Sequence, residues 1–370
     1  MAYKTNPARR QSPDPDSILF VSGYGIDMRV KRGRLRIEDG IANDRRVTEL
    51  SRADRDISRI LIHGHTGSVT LDAFRWMNDC DISFVHIDSE GTLLAASVPQ
   101  ALNRPRVMRA QVLAMENGIA LDIMRDVFSQ KLRGQIEVLT DFGLGATTVP
   151  IIRSQSKLLD RSRTLEDMAG VEAYASAAYW KAWEGTGITF GKGERVPSHW
   201  RIFRGRRMGI RSRNYNSTDP LNAILNYLYA IMEAEGSLAC HSVGLEPRVG
   251  WMHADRRWRP SLALDLMEAV RHHIDRWALA FLGSEKLTHE DFFEQRNGVC
   301  RILPPMGQIL SETSGTWRDI LQPLMRSVAA RIDSVDPTGR RDGRRPGYSG
   351  AQRRPVPRYR RMVAEGGPET

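Results

Sequence analysis

The chain has 370 residues, 41% of them hydrophobic, enough for two compact domains with sizeable cores. No apolar run approaches the ~20 residues of a membrane helix, and the Lys/Arg/Pro-rich N-terminus has no apolar signal core, so a cytoplasmic chain without membrane contact is expected. Lys and Arg number 54 against 44 Asp and Glu, a net charge of +10, and this Arg-dominated excess favours a polyanionic partner.

Residues 1–17 are polar and Pro-rich and are expected to be disordered. From Ile18 the pattern has period two: Ile26, Met28 and Val30 alternate with Asp27, Arg29 and Lys31. Arg32-Gly33 turns the chain, and Leu35 and Ile37 continue the alternation. Residues 57–63, 82–88 and 92–98 read as further strands, with a turn at Gly91, and residues 70–79 as a short helix. Residues 18–98 should therefore form a small β-rich domain without a catalytic constellation. His63 and His65 alternate on one strand but lack a third ligand, so a surface pair is expected there and not a metal site.

Beyond a linker at 99–105 nearly everything is helical, and residues 106–333 are expected to make an α-helical domain. Residues 107–116 and 119–139 carry apolar spacings near three and four, with Gly118 between them. Residues 147–158 read as a shorter helix, and Thr164-x-x-Asp167 opens the next with a capping-box pattern. Glu172 is the one charged residue between Met168 and Trp180. An ionised carboxylate on such a helix is costly unless paired, and a polar stripe, an arginine or a bound cation would each relieve it.

Residues 201–213 hold six arginines, Arg201, Arg204, Arg206, Arg207, Arg211 and Arg213. Phe203, Gly205 and Gly209 interrupt them, which makes a basic loop or hairpin suited either to solvation or to phosphate contact. Leu221, Leu225, Leu228 and Ile231 form a helical stripe, Gly244 suits its C-terminal cap, and Glu246-Pro247 and Gly250 break the chain into a loop that reaches His253. Arg256, Arg257 and Arg259 follow, and Pro260-Ser261 opens a long helix with Leu262, Leu266, Val270, Ile274, Trp277 and Phe281 on its apolar side. At ~100° per residue, Asp265, Glu268 and His272 fall on the opposite side. They fit either a solvated face or ligands placed outside the packed stripe.

Thr288-x-x-Asp291 starts a short helix, residues 299–303 suit a strand, and residues 309–332 close the domain as a helix. From Asp336 the chain has nine arginines, four acids and no apolar periodicity, so residues 334–370 are expected to be a disordered basic tail. Cys80, Cys240 and Cys300 are far apart and read as reduced residues. No Gly-rich phosphate loop and no internal repeat appears, which leaves nucleotide hydrolysis unsupported.

Three of these stretches, in order, resemble one family. They are Val-Glu-Ala-Tyr-Ala-Ser-Ala-Ala-Tyr-Trp at 171–180, Asp-Pro-Leu-Asn-Ala-Ile-Leu-Asn-Tyr at 219–227, and 244–271 with Gly-Leu-Glu-Pro, Gly-Trp-Met-His and Ser-Leu-Ala-Leu-Asp-Leu-Met-Glu-Ala-Val-Arg. The combination is similar to the CRISPR-associated spacer-acquisition integrases, the Cas-one family, over roughly residues 18–330. Ala173 stands where the family commonly has glycine, and the insert after His253 is unusually basic and carries a tryptophan.

The resemblance implies an α+β fold, with a β-rich N-terminal domain for dimerisation and a larger helical catalytic domain. It implies Glu172, His253 and Glu268 as ligands of Mg²⁺ or Mn²⁺, with Asp265 beside them in the catalytic group. Asn222, Arg201, Arg204, Arg206, Arg207, Arg211 and Arg213 are candidates for DNA contact, together with Arg256, Arg257 and Arg259. The implied reaction is transesterification, joining the 3′ end of captured double-stranded DNA to a CRISPR repeat. The implied assembly is a homodimer with the small partner Cas-two. The rival readings are a stand-alone nuclease or transposon-type integrase of the same fold, and a noncatalytic DNA-binding scaffold.

Overall fold

The computed structural model describes residues 17–40, 45–54, 57–64, 66–88, 92–97, 104–206, 217–252 and 259–334. Of the residues expected to be disordered, 1–17 and 334–370, Ser17 opens a strand and Ser334 ends a helix, while the others, and most of the expected linker, lie outside the described residues. None of the described helices is long and apolar enough to cross a membrane.

The N-terminal region runs β1 (Ser17–Gly23), β2 (Ile26–Lys31), β3 (Arg34–Asp39), β4 (Arg46–Leu50), β5 (Ile57–Gly64), β6 (Gly67–Val69), α1 (Leu71–Asp79), β7 (Ser83–Ile87) and β8 (Leu93–Ser97). One sheet has the order β1-β5-β7-β8, with β8 antiparallel to a parallel trio. The other has the order β4-β3-β2-β6, with only β6 parallel to its neighbour. Side chains of a strand alternate between faces, and here both faces of the first sheet are used. Val21, Ile60, Ile62 and Phe84 share a core with Met28, Leu35 and Ile37 of the second sheet and with Trp76 of α1. Leu61, Val85 and Ile87 point the other way, into the core of the helical region. Thr70 caps α1 by accepting the Ala73 N–H at 3.2 Å, and Trp76 Nε1 donates to Gly33 O at 2.9 Å, which fixes the helix over the β2–β3 turn.

Strand β4 has no sequence signal of its own. Leu50 is its one buried residue and pairs with Leu35, while Arg36 reaches Glu49 at 3.1 Å. His63 corrects a second expectation. It is 4% exposed, with its ring against Tyr227 (centroids 5.1 Å apart), so it is an interior histidine where a surface pair was expected. Burial, helped by the charge of His86, pushes its pKa down to about 4. His65 lies outside the described residues.

The helical region comprises α2 (Pro105–Leu113), α3 (Ile119–Asp141), α4 (Thr148–Leu159), α5 (Leu165–Trp183), α6 (Pro220–Val243), α7 (Ser261–Met267), α8 (His272–Ser284), the β9–β10 pair (Phe292–Glu294 and Cys300–Ile302), α9 (Pro304–Ser311) and α10 (Ser314–Ser334). Helix α6 is its axis. Asp219 caps it by accepting the Asn222 N–H at 2.9 Å, Gly244 closes it at φ 84°, and nearly every residue between is buried. It packs against β7 and β8 on one side and α7, α8, α9 and α10 on others, joining the sheets to the helices.

Two expected helices are interrupted. The helix opened by Ser261 divides into α7 and α8 around residues 268–271, and the closing helix divides into α9 and α10. The Thr288 start yields one 3₁₀ turn, His289–Asp291, which has both capping-box bonds. The side of α7 opposite its apolar stripe is no solvated face, because Asp265 is 0% and Glu268 8% exposed.

Candidate functional site

The capping box of α5 is present as the sequence suggested: Asp167 N–H donates to Thr164 Oγ1 at 3.0 Å, and Thr164 N–H donates to Asp167 Oδ2 at 3.0 Å. It fixes the start of a helix whose Glu172 and Ser176, one turn apart, face Lys131 and Gln135 of α3 at the same spacing. Lys131 is the residue that sequence reasoning missed. Its ammonium touches Glu172 Oε1 and, at 2.5 Å, Glu268 Oε2. Ser176 Oγ donates to Glu172 Oε1 at 2.6 Å, and Arg271 Nη1 donates to Glu268 Oε1 at 2.7 Å. Burial pushes the Glu268 carboxyl up, but Lys131 and Arg271 outweigh it and hold the pKa at about 2. Burial alone would lower Lys131; Glu268 and Glu172 keep it above its ordinary value. The elements meet closely here. A Cβ on Gly134 of α3 would run into the His272 ring of α8.

Beside this cluster Arg206 leaves the basic loop and lies 5.4 Å from the ring centroids of both Trp180 and Tyr229. It donates to Asn222 Oδ1 at 3.3 Å, while Asn222 Nδ2 donates to Asp219 Oδ2 at 2.7 Å and Gly205 O at 3.1 Å. Arg271 stacks on the Tyr229 ring, with its Cζ 4.0 Å from the centroid. Tyr229 is fixed in turn, because its hydroxyl and that of Tyr179 both donate to buried Asp275. Lys131, Glu172, Trp180, Arg206, Glu268 and Arg271 thus line one cleft of about 150 Å³.

Asp265 has a different task. Its Oδ2 accepts the backbone N–H groups of Trp251 at 2.6 Å and Met252 at 3.0 Å, which ties the loop to α7 immediately before His253. Gly250 permits this approach, since a Cβ there would stand 2.6 Å from Ser261 Cβ. Gln111 of α2 holds the other end of the loop: its amide donates to Glu246 O at 2.8 Å and Val249 O at 2.7 Å and accepts the Glu246 N–H at 2.9 Å.

His253, Arg207, Arg211, Arg213, Arg256 and Arg257 lie outside the described residues. Arg201 and Arg204 are exposed, Arg201 over the Phe190 ring at 5.4 Å, and neither lines the cleft. Arg259 is half-buried and its charge acts on Glu233, whose carboxyl burial raises to about 7. Of the expected DNA contacts among the described residues, Arg206 and Asn222 therefore stand nearest the cluster. Among the described residues no three His, Cys, Asp or Glu side chains form a metal-binding group. The two carboxylates nevertheless converge on one cationic atom, and the tethered loop leads to an imidazole. Oxygen donors completed by one nitrogen fit Mn²⁺ and tolerate Mg²⁺.

Known proteins share this arrangement of sequence. The family model described as CRISPR associated protein Cas1 matches residues 19–306. A curated relative named CRISPR-associated endonuclease Cas1 1, from Archaeoglobus fulgidus, is 27% identical over 77% of this chain and 83% of its own. Another, CRISPR-associated endonuclease Cas1 2 from Pyrobaculum aerophilum, is 28% identical over 84% of this chain and 96% of its own. A solved structure described as a casposase bound to integration product superposes with a TM-score of 0.73, at 25% identity, covering 86% of this chain and 90% of that one.

Proposed function

The chain belongs to the CRISPR-associated Cas1 family, and from that premise we propose that it is a metal-dependent DNA integrase and endonuclease of CRISPR adaptation. The observation that carries this reading is the convergence of Glu172 and Glu268 on one cationic atom in a cleft that also presents Arg206 and Arg271. A catalytic centre for phosphate diesters needs this combination of clustered anions to gather a cation and fixed guanidiniums to gather the substrate.

Glu172, Glu268 and His253 would hold Mg²⁺ or Mn²⁺. Bound there, the cation supplies Lewis-acid polarisation of the phosphate and stabilises charge on the attacking and leaving oxygens. The chain's own residues do the positioning. Arg206, kept between Trp180 and Tyr229, and Arg271, kept on Tyr229, present preorganised donors to phosphate oxygens. Asp265 holds the loop that delivers His253.

In the reaction the 3′-hydroxyl oxygen of captured DNA attacks a phosphorus of the repeat strand and gives up its proton. The bond from that phosphorus to the repeat's own 3′ oxygen breaks, and that oxygen takes a proton. One phosphodiester replaces another, so no nucleotide need be hydrolysed, in keeping with the missing phosphate loop. Water in place of the hydroxyl gives nicking. The protein works as a homodimer through its N-terminal strands, with the small partner Cas2 and double-stranded DNA, a placement that rests on family membership. Light scattering of the protein with and without DNA should show dimers at micromolar concentration, and a strict monomer would overturn that part.

The likeness to a casposase favours a second reading, a transposon-type integrase of the same fold. A strand-transfer assay with Mn²⁺ and a 3′-hydroxyl donor separates the readings. Integration at the border of a CRISPR repeat supports the first, integration without regard to the repeat supports the second, and DNA binding without strand transfer supports a scaffold.

A further inference from the structure

Resting on the reading of Glu172 and Glu268 as cation ligands, we propose that Lys131 is a positioning residue with two seats. Without a divalent cation its ammonium holds the two carboxylates together. When a divalent cation binds, the ammonium withdraws along α3 toward Gln135.

The first seat is the one the structure shows occupied. Lys131 is 7% exposed and touches both carboxylates. Two carboxylates so close together repel, and poorly solvated ones do so strongly, so their convergence without metal requires a positive group between them. Lys131 is that group. A divalent cation held by Glu172 and Glu268 would claim the same oxygens, and two positive charges cannot share that point. Either the ammonium moves or the metal stays out.

The second seat is an acceptor without a donor. Gln135 lines the same cleft and is 3% exposed, and its Oε1 is buried with no hydrogen-bond partner. A buried unpaired carbonyl oxygen is costly and calls for an explanation. Gln135 stands about one helical turn from Lys131, ~6 Å along the axis, within reach of a four-carbon stem that swings about its helix. Its Nε2 faces Ser176 Oγ at 3.5 Å, so the amide is connected to the Glu172 side of the site. Lysine suits the task because its charge is compact and its stem flexible. Arg271 shows the contrast: stacked on Tyr229 and bonded to Glu268, it is built to stay.

The test is calorimetric titration of the DNA-free full-length chain with Mn²⁺ alone, at about pH 8, where paired carboxylates are ionised. Lys131→Met removes the competing ammonium and should tighten Mn²⁺ binding about tenfold or more, the scale typical of groups that adjoin metal ligands. Gln135→Met removes the second seat and should weaken binding by about the same factor. In the double variant the Gln135 effect should vanish, because no ammonium remains to be seated. Thermal melting by circular dichroism establishes that each variant is folded. Should Lys131→Met not fold, Lys131→Arg serves in its place: it keeps a cation that cannot retreat, and Mn²⁺ should bind more weakly than to the unaltered chain.

Unchanged or weaker Mn²⁺ binding by folded Lys131→Met overturns the proposal, as does a Gln135→Met loss that persists in the double variant. Failure of the underlying reading looks different. In that case the unaltered chain shows no Mn²⁺ binding that Glu172→Gln or Glu268→Gln weakens.

Discussion

Two buried ionic clusters in this protein are built from the same parts and do different work. At the junction of the sheets and helices, Arg59 of β5 meets Glu235 of α6, and Ser314 of α10 joins them, accepting from Arg59 at 3.2 Å and donating to the glutamate. All three are at most 5% exposed. In the cleft, Lys131 meets Glu172 and Glu268 with Ser176 alongside. The junction balances one acid with one arginine and is sealed by packing. The cleft gathers two acids around one compact lysine, with Arg271 bonded to the second acid, and stays open, with 22% of the Glu172 side chain exposed. Sealed and balanced charge ties two regions together. Open charge with a second acid is a place for something else to bind.

The sharpest way to break this comparison is to remove one acid from each cluster. Glu268→Ala should abolish Mn²⁺-dependent strand transfer in a protein that still folds, measured by joining of a labelled 3′-hydroxyl donor. Glu235→Ala should instead remove the carboxylate that meets buried Arg59 and cost about 3–5 kcal/mol of stability. Its remaining folded fraction should still transfer strands. If Glu235→Ala were as inactive as Glu268→Ala at full stability, the distinction between the clusters would collapse.

What the sequence disclosed follows how local each signal is. The Thr164 capping box and the Gly244 stop are written within four residues, and both are present. Glu172 is conspicuous because no opposite charge lies near it on its own helix; beside Ser176, one turn along α5, its cationic partner Lys131 comes from α3. Lys131 could have been found. Met124, Val127, Phe128, Lys131, Leu132, Gln135 and Val138 share the buried side of α3, so a lysine and a glutamine interrupt an apolar stripe. Gln111 interrupts α2 in the same way, after Val107 and Ala110. The break between α7 and α8 was invisible because Glu268-Ala269-Val270-Arg271 contains no helix breaker. It accompanies contacts made far along the chain, Glu268 to Lys131 and Arg271 to Tyr229.

The junction also predicts a dependence on pH that the cleft does not explain. His63 packs on Tyr227 between the sheet and α6, and the fold holds it neutral with a pKa of about 4. The unfolded histidine has a value near 6.5, so as pH falls through that window the unfolded chain takes the proton first. Stability contributed by neutral His63 is present above about 6.5 and is lost toward 4, by up to ~3 kcal/mol. Chemical denaturation at a series of pH values should show that slope, and His63→Asn should flatten it whatever its effect on stability at neutral pH. An equally steep slope in the variant would assign the titration elsewhere.

A smaller effect is expected at Asp265, which touches the loop and not the paired carboxylates. Asp265→Ala frees the Trp251 and Met252 N–H groups and loosens the approach to His253, so strand transfer should fall ~10–100-fold without vanishing, as for groups that orient metal ligands. If Asp265→Ala were inactive while Glu268→Ala kept Mn²⁺-dependent transfer, the assignment of the two acids would have to be exchanged.

The smallest effect should come from charge that belongs to neither cluster, the nine arginines after Asp336, which lie outside the described residues. Arg206 is held between rings, and its contribution to phosphate binding should depend on that geometry. Arginines in a segment rich in Pro and Gly without apolar periodicity contribute through counterion release, with each phosphate contact adding about 0.9 to the slope of log K against log salt. Truncation at Asp336 should therefore flatten the salt dependence of DNA binding and leave Mn²⁺-dependent strand transfer at saturating DNA intact. Arg206→Ala should do the reverse, changing the slope by about one contact and lowering strand transfer even when DNA is saturating. Binding measured by fluorescence anisotropy across a salt series, paired with the strand-transfer assay, separates the two kinds of arginine. If truncation left the slope unchanged, DNA would be held by charges that precede Asp336, and the arginines of residues 201–213 with Arg256, Arg257 and Arg259 would have to carry the electrostatic contact.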